Sequence, residues 1–441
     1  MPSAAIARPA SRTPFRPIGL WQLTIVGVAI LVLLGANFGT NSDMEDIATK
    51  SSMLNTPIQA AVLGTLVWLA VHYRGLQTRA LPALVPFLVL LALAAGSSLW
   101  SQAPDASLRR SLSLMSLLAL AVYAQTVLGT VAFCRVHVLV TWIAAGASLA
   151  AAVVVPHSAF DLGEYATAIR GIFTQKNTLG DAMVVGTLAL MYVVLKRRRV
   201  VGSDIATLVM AAAVIRLAQS TTALLLFLMI VTSTVYALLW MRGTAASIYG
   251  IILLTVLILS LALVMTMDPK AVYGALGKNE TLTGRVQIWR AVVQAGQGWP
   301  LLGYGYSAFW LPDTHMVGDI WYEIGWKSPS AHSGYLDTIM QIGVLGLGIL
   351  GWIAALTVVR AVKAIGRDRL AEGWWALTIL ATILFYNYDE SSLPQPDIHL
   401  FQWALAFLAC ACPPMLHTVP IRLGFRAGDR PGGQFGRGPA R

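Results

Sequence analysis

Apolar residues run along this chain in blocks of roughly 17 to 25 positions, separated by shorter polar stretches, nearly from end to end. Blocks of that length suit a helix crossing a hydrocarbon core of about 30 Å. Each span must satisfy its own backbone hydrogen bonds in lipid, so helices are the expected element throughout. The pattern predicts about twelve spans, at 18–37, 56–73, 81–99, 112–130, 137–155, 178–195, 204–218, 222–240, 246–267, 333–358, 373–388 and 398–416. The expected fold class is an all-α polytopic membrane protein. One interruption stands apart: 268–332, a connection of about 65 residues between two strongly apolar blocks, expected to be partly helical. Long structured connections in compact proteins usually carry function. Neither an internal repeat nor a matching pair of broken helices is visible. The chain thus divides into an N-terminal tail (1–17), a membrane domain (18–416) that includes the long loop, and a Gly- and Arg-rich tail (417–441) expected to be disordered.

Composition agrees with this picture: 57% of residues are hydrophobic, 12% charged, and the mean hydropathy is +0.68. A soluble domain carries about twice that charge fraction. The first fifteen residues resemble the charged start of a signal peptide. The run Ile18–Gly35 lacks a small-residue cleavage site, however, and reads as the first span. Cys134, Cys410 and Cys412 lie in or beside spans, so no structural disulfide is expected. A net charge of +11 would suit nucleic acid, but the placement of Lys and Arg gives it a topological origin. With the N-terminus inside, most of the basic residues fall on the cytoplasmic side. Of the acidic residues only Asp204, Asp368, Glu372 and Asp429 fall there. Both termini are then cytoplasmic. The stretches 38–55, 97–111, 156–177 and 268–332 face outward, joined by the Arg216–Thr222 turn and the Asp389–Asp397 segment.

Several chemistries have no signature here: no P-loop, no dinucleotide fingerprint, no HExxH and no metal-spaced Cys/His cluster. The seven histidines are scattered without ligand spacing, so neither cofactor nor metal is expected. Arg285 is the most telling residue. On a helical projection of Gly284–Gln294 it lands inside an apolar arc formed by Val286, Ile288, Trp289, Val292 and Val293. An arginine there either snorkels or points at a sheltered anion, and the anion reading is favoured because its fork matches phosphate oxygens. His332 sits where the chain re-enters an apolar helix. It is either a freely titrating surface histidine or a general base, or phosphate donor, beside a helix N-terminus.

Arg170 lies in another outward stretch and could converge with Arg285, whereas Lys176 reads as an interfacial snorkeller and Asn177 as a cap for the sixth span. Arg216, in a turn between two spans, is either a snorkelling residue or a further phosphate contact. Arg109 and Arg110 begin a helix on the side where positive charge is disfavoured. Asp319, Glu323, Asp389 and Glu390 are candidates for sugar contacts or acid–base work, with no spacing that singles out a pair. The long loop is rich in aromatics, among them Trp310, Trp321, Tyr322 and Trp326, which suits either a glycan or a membrane surface. Trp289, Tyr304, Tyr306 and Tyr335 are the candidate glycan contacts.

The segments WSQAPDASLRR (100–110), RGIFTQKNTLG (170–180), TGRVQIWRAVV (283–293), PLLGYGYSAFW (300–310) and AHSGYLDTIMQIGVLGLG (331–348) resemble, in order, the O-antigen ligase and polysaccharide polymerase superfamily of bacterial inner-membrane proteins. The second segment is most similar to its exopolysaccharide-polymerase branch. The resemblance implies a GT-C-like fold and a metal-independent, inverting glycosyltransferase. Its donor would be an oligosaccharide on undecaprenyl pyrophosphate in the outer leaflet. It also implies that Arg170, Arg285 and His332 are the essential arginines and histidine. Arg216 is a fourth that departs from the serine–arginine pattern of relatives. The acceptor is either another lipid-linked glycan, for a polymerase, or lipid A–core, for a ligase. Membrane lipids and polysaccharide export or chain-length proteins are the further partners implied. A twelve-span transporter and a non-catalytic assembly scaffold remain as alternatives of another class. Clustering of the polar groups at one face argues against transport.

Overall fold

The computed structural model describes residues 20–35, 80–161, 167–245, 285–296, 300–311 and 315–412, with Ser247, Ile248, Gly250 and Ile252. The expected spans at 56–73 and, apart from isolated positions, 246–267 lie outside the described residues, as do both tails. The principal helices are α1 (Leu20–Leu33), α2 (Val85–Gly96), α3 (Pro104–Tyr123), α4 (Thr130–Val154), α5 (Lys176–Arg197), α6 (Gly202–Leu217) and α7 (Thr221–Arg242). They continue with α8 (Arg285–Ala295), α9 (His315–Ile324), α10 (Gly334–Ile365), α11 (Leu370–Asp389) and α12 (Ile398–Ala411). Five are long and apolar enough to cross a membrane: α3 with its terminal π-turn (Pro104–Leu128), α4, α5, α7 and α10.

Helix α5 is the axis of the bundle, enclosed by α4, α6, α7 and α11. Its glycines explain the close approach. A Cβ on Gly186 would collide with Thr141 of α4, and one on Gly180 with Ala223 of α7. Trp375 of α11 fills the opposite side, where its indole donates to the Leu188 carbonyl at 2.8 Å and its ring lies 4.6 Å from Tyr192. Helix α12 is buried from Ile398 to Cys410 and packs on α3, α10 and α11.

Helix α10, expected as one continuous span, is broken at Gly343, whose φ of +74° a side chain rarely adopts. The segment 300–305 repairs the break. Tyr304 N and Gly305 N donate to the Met340 and Gln341 carbonyls at 2.8 and 3.0 Å. Val344 N and Leu345 N donate to the Pro300 and Leu301 carbonyls at 2.9 and 3.1 Å. Four of the backbone groups freed by the kink are thereby paired, as a low-dielectric setting favours. Apolar patterning could not reveal this, because a glycine inside an apolar run leaves the run intact.

The described residues of the long loop include two helices, α8 and α9, in keeping with a partly helical connection. Ile288, Ala291 and Val292 of α8 pack with Phe309, Val317 and Ile320, and with Ala331, Ile339 and Met340, into a small core separate from the main one. This cap sits on the N-terminal half of α10 and carries the first residue of α8 toward the end of α11.

Candidate active site

Residues from five separate parts of the chain meet at one end of the bundle. Arg285 opens α8. His332 precedes α10 by two residues, Asp389 and Glu390 close α11, Asn177 lies in the first turn of α5, and Thr222 in the first turn of α7.

Arg285 is mostly buried, with 14% of its side chain exposed. Nη1 contacts both the carboxylate and the backbone carbonyl of Asp389, and Nη2 lies 2.9 Å from Glu390 Oε1. The fork thus reads two carboxylates at a helix C-terminus, where a cation is also favoured by the helix dipole. The anions that Arg285 meets in the structure are the protein's own carboxylates.

Glu390 is the hub. Its Oε1 also accepts from Asn177 Nδ2 at 2.7 Å, its Oε2 lies 3.3 Å from His332 Nδ1, and its backbone carbonyl accepts from Gly334 N at 3.0 Å. Burial alone would raise its pKa. The His332 hydrogen bond and the Arg285 charge outweigh burial and the neighbouring Asp389, and the carboxyl is held below its ordinary value. Thr222 Oγ1 donates to Asp389 Oδ2. Asn177 therefore does not cap α5, which starts after Gln175 without a side-chain cap; its amide is spent on Glu390.

His332 is held from both sides. Its φ of +47° is a left-handed conformation tolerated better by His than by most residues. Trp289 Nε1 donates to the preceding carbonyl, that of Ala331, at 3.0 Å, and Ala331 N donates to Asp337 Oδ1 at 3.1 Å. Trp310 Nε1 donates to the same oxygen at 2.6 Å. A Cβ on Gly334 would collide with Asn387, so only glycine lets α10 begin this close to the end of α11. With Nδ1 facing Glu390, a neutral imidazole carries its lone pair on Nε2.

Arg170 lies at the same end of the bundle, in the loop leading into α5. Its guanidinium donates to the Ser158 and Thr174 carbonyls at 3.1 and 3.2 Å. Arg216 is exposed in the last turn of α6. Ile169 N donates to the Leu217 carbonyl at 3.1 Å and Gln219 Nε2 to Thr167 Oγ1 at 3.0 Å, so the loop of Arg170 and the turn of Arg216 are joined.

Among the aromatic candidates, Trp289 stands edge-on to Tyr388 with centroids 5.8 Å apart, beside the cluster. Tyr304 packs on Phe309, and the Tyr335 hydroxyl donates to the Leu384 carbonyl at 2.7 Å. Tyr306 has no surface to offer a sugar. It is fully buried, and its hydroxyl donates to the Pro394 carbonyl at 2.8 Å. Among the described residues no three His, Cys, Asp or Glu side chains are grouped to hold a metal ion.

The pairing of Asp389 with Glu390 at this site is what sequence reasoning missed, together with Asn177 and Thr222. Adjacency of two acids at the end of an apolar helix was visible. Their partner, more than a hundred residues earlier, was not.

Residues 182–351 match the family model described as O-Antigen ligase, a region running from α5 into α10 that includes Arg216, Arg285 and His332. Over 169 residues the chain is 25% identical to the exopolysaccharide production protein ExoQ of Rhizobium meliloti (strain 1021). That alignment covers 37% of this chain and 37% of the relative's own length.

Proposed function

We propose that this multi-pass membrane protein, similar over part of its length to the O-antigen ligase family and to an exopolysaccharide production protein, is a metal-independent, inverting glycosyltransferase of that superfamily. It uses an undecaprenyl-pyrophosphate-linked oligosaccharide as donor and a sugar hydroxyl as acceptor, on the periplasmic side of the inner membrane. The observation that carries this reading is the arrangement around Glu390: a forked arginine on one carboxylate oxygen and an imidazole on the other.

The chemistry follows from that arrangement. Glu390 accepts from His332 Nδ1–H and leaves Nε2 as the base. The acceptor hydroxyl attacks the anomeric carbon of the donor while Nε2 takes its proton. The bond between that carbon and the pyrophosphate oxygen breaks, and the electron pair leaves with undecaprenyl pyrophosphate. A single displacement inverts the anomeric configuration. Arg285, oriented by Asp389 and Glu390, presents its remaining N–H edge to the charge that builds on the leaving group, and Arg170 and Arg216 supply further cations. Carboxylates around Arg285 fix its fork in place before the donor arrives, which lowers the cost of ordering it.

Extension of a lipid-linked glycan is the favoured outcome, given the similarity to an exopolysaccharide production protein. Transfer to lipid A–core is the second reading, favoured by the family's description. Purified protein given a defined undecaprenyl-pyrophosphate oligosaccharide separates them. A ladder of longer lipid-linked products supports the polymerase; product only on addition of lipid A–core supports the ligase; no product with either acceptor overturns both.

A further inference from the structure

Beneath the site lies a second ionisable pair that the mechanism does not use. Asp181, in the second turn of α5, is 8% exposed, and His399, in the first turn of α12, is 1% exposed. His399 Nε2 lies 2.9 Å from both carboxylate oxygens of Asp181. Its Nδ1 has no hydrogen-bond partner among the described residues, so Asp181 is the only polar anchor seen for that ring. An ionisable pair in an apolar bundle is costly to keep and seldom without a role.

The surroundings indicate what that role is. Asp181 and Asn177 are four residues apart and so share one face of α5. Asn177 holds Glu390, where the turn between α11 and α12 begins, and Asp181 holds His399, just past where it ends. The His399 ring also stacks on Tyr386 of α11 at 4.5 Å, one turn before Asp389. Between these anchors the turn is tied to itself. Asp397 accepts from Ser392 Oγ at 2.5 Å and from the His399 and Leu400 amides at 3.0 and 3.1 Å. Asn387 Oδ1 accepts from the Ser392 and Leu393 amides at 3.0 and 2.7 Å. Among the described residues, Tyr386 from α11 and Asp397 from the start of α12 face the pair, and Glu390 and Arg285 lie near Tyr386 above it. His137 of α4 lies one turn deeper, bonded to Gln402.

We propose that Asp181 and His399 are positioning residues whose buried contact holds the 390–397 turn, and with it Asp389 and Glu390, in register with Arg285 and His332. The part concerning catalysis rests on the glycosyltransferase reading; the part concerning the turn does not.

Two measurements on the full-length chain in nanodiscs test it. Hydrogen exchange is followed in the peptide spanning 387–398, where Asp181→Asn is expected to speed exchange of the Ser392 and Leu393 amides about tenfold. Turnover of lipid-linked oligosaccharide is then compared in a double-mutant cycle. Asp181→Asn is expected to lower it about tenfold in the wild-type background and less than about twofold further in a Glu390→Gln background. A merely structural role would give the same fold-loss in both. Unchanged exchange, or equal losses in the two backgrounds, overturns the proposal. If Asp181→Asn fails to insert, His399→Gln breaks the same contact from the other side and is read identically. A wild type that turns over no lipid-linked glycan refutes the enzymatic reading, while the exchange result still decides whether the pair holds the turn.

Discussion

Replacing Glu390 by glutamine is the perturbation from which the most can be worked out. The side chain is 9% exposed and has three partners: Arg285, Asn177 and His332. Gln Oε1 still accepts from Arg285 and Asn177, and Arg285 keeps Asp389, so no buried charge is stranded. The stability cost is then about 1.5–3 kcal/mol, the scale of a charge-assisted hydrogen bond, rather than the ~3–5 kcal/mol of a broken buried pair. Catalysis is expected to suffer more. The amide N–H₂ now faces His332 Nδ1 and must donate to it, which moves the imidazole proton to Nε2 and removes the lone pair that the acceptor needs. Losing a general base costs about 10²–10⁴ in rate, so turnover is expected to fall at least ~100-fold, equivalent to ~2.7 kcal/mol of barrier. The assay is release of undecaprenyl pyrophosphate by equal amounts of monodisperse protein, alongside a melting curve. Turnover within threefold of wild type, at a melting temperature only a few degrees lower, would refute the assigned partnership of Glu390 and His332.

Four further outcomes are expected. Because the Glu390 carboxyl is depressed below its ordinary value of 4.5, its contribution to stability is present above about pH 4.5 and lost as pH falls through the lowered value. The melting gap between wild type and Glu390→Gln should therefore be open at neutral pH and close in acid; a gap independent of pH contradicts the charge assignment. Arg285→Lys keeps the charge but cannot reach Asp389 and Glu390 with one fork, so activity should fall at least ~10-fold; full activity would remove the bidentate role. Gly343→Ala places a Cβ against the Leu301 carbonyl at a positive φ, and is expected to destabilise the protein by at least ~2 kcal/mol, read as a lower melting temperature or failed insertion. On the inside-out charge pattern, cysteines placed at Ser330 and Ala427 should label from opposite sides of the membrane; labelling from one side sinks that topology.

The helical bundle was legible because apolar run length is a direct consequence of membrane thickness. Arg285 was legible for a related reason: a cation inside an apolar arc has to be answered by something. Its answer was not, since Asp389 and Glu390 lie more than a hundred residues away and their spacing carries no periodic signal. Asn177 had the right type for a cap and a different employment, which only tertiary contact decides. Tyr306 illustrates the converse, because aromatic composition cannot separate a ring that meets a ligand from one that fills the core. Asp181 was within reach: a carboxylate inside an apolar span is unusual on sequence alone, but its partner His399 stood among scattered histidines with no ligand spacing.

The most direct measurement is donor turnover by the wild type and His332→Ala, both full-length in nanodiscs, given a synthetic undecaprenyl-pyrophosphate oligosaccharide and a sugar acceptor. Release of undecaprenyl pyrophosphate by the wild type, and none above background from a variant of equal melting temperature, is the predicted result. Equal release by His332→Ala, or none by the wild type with either acceptor, would contradict the account.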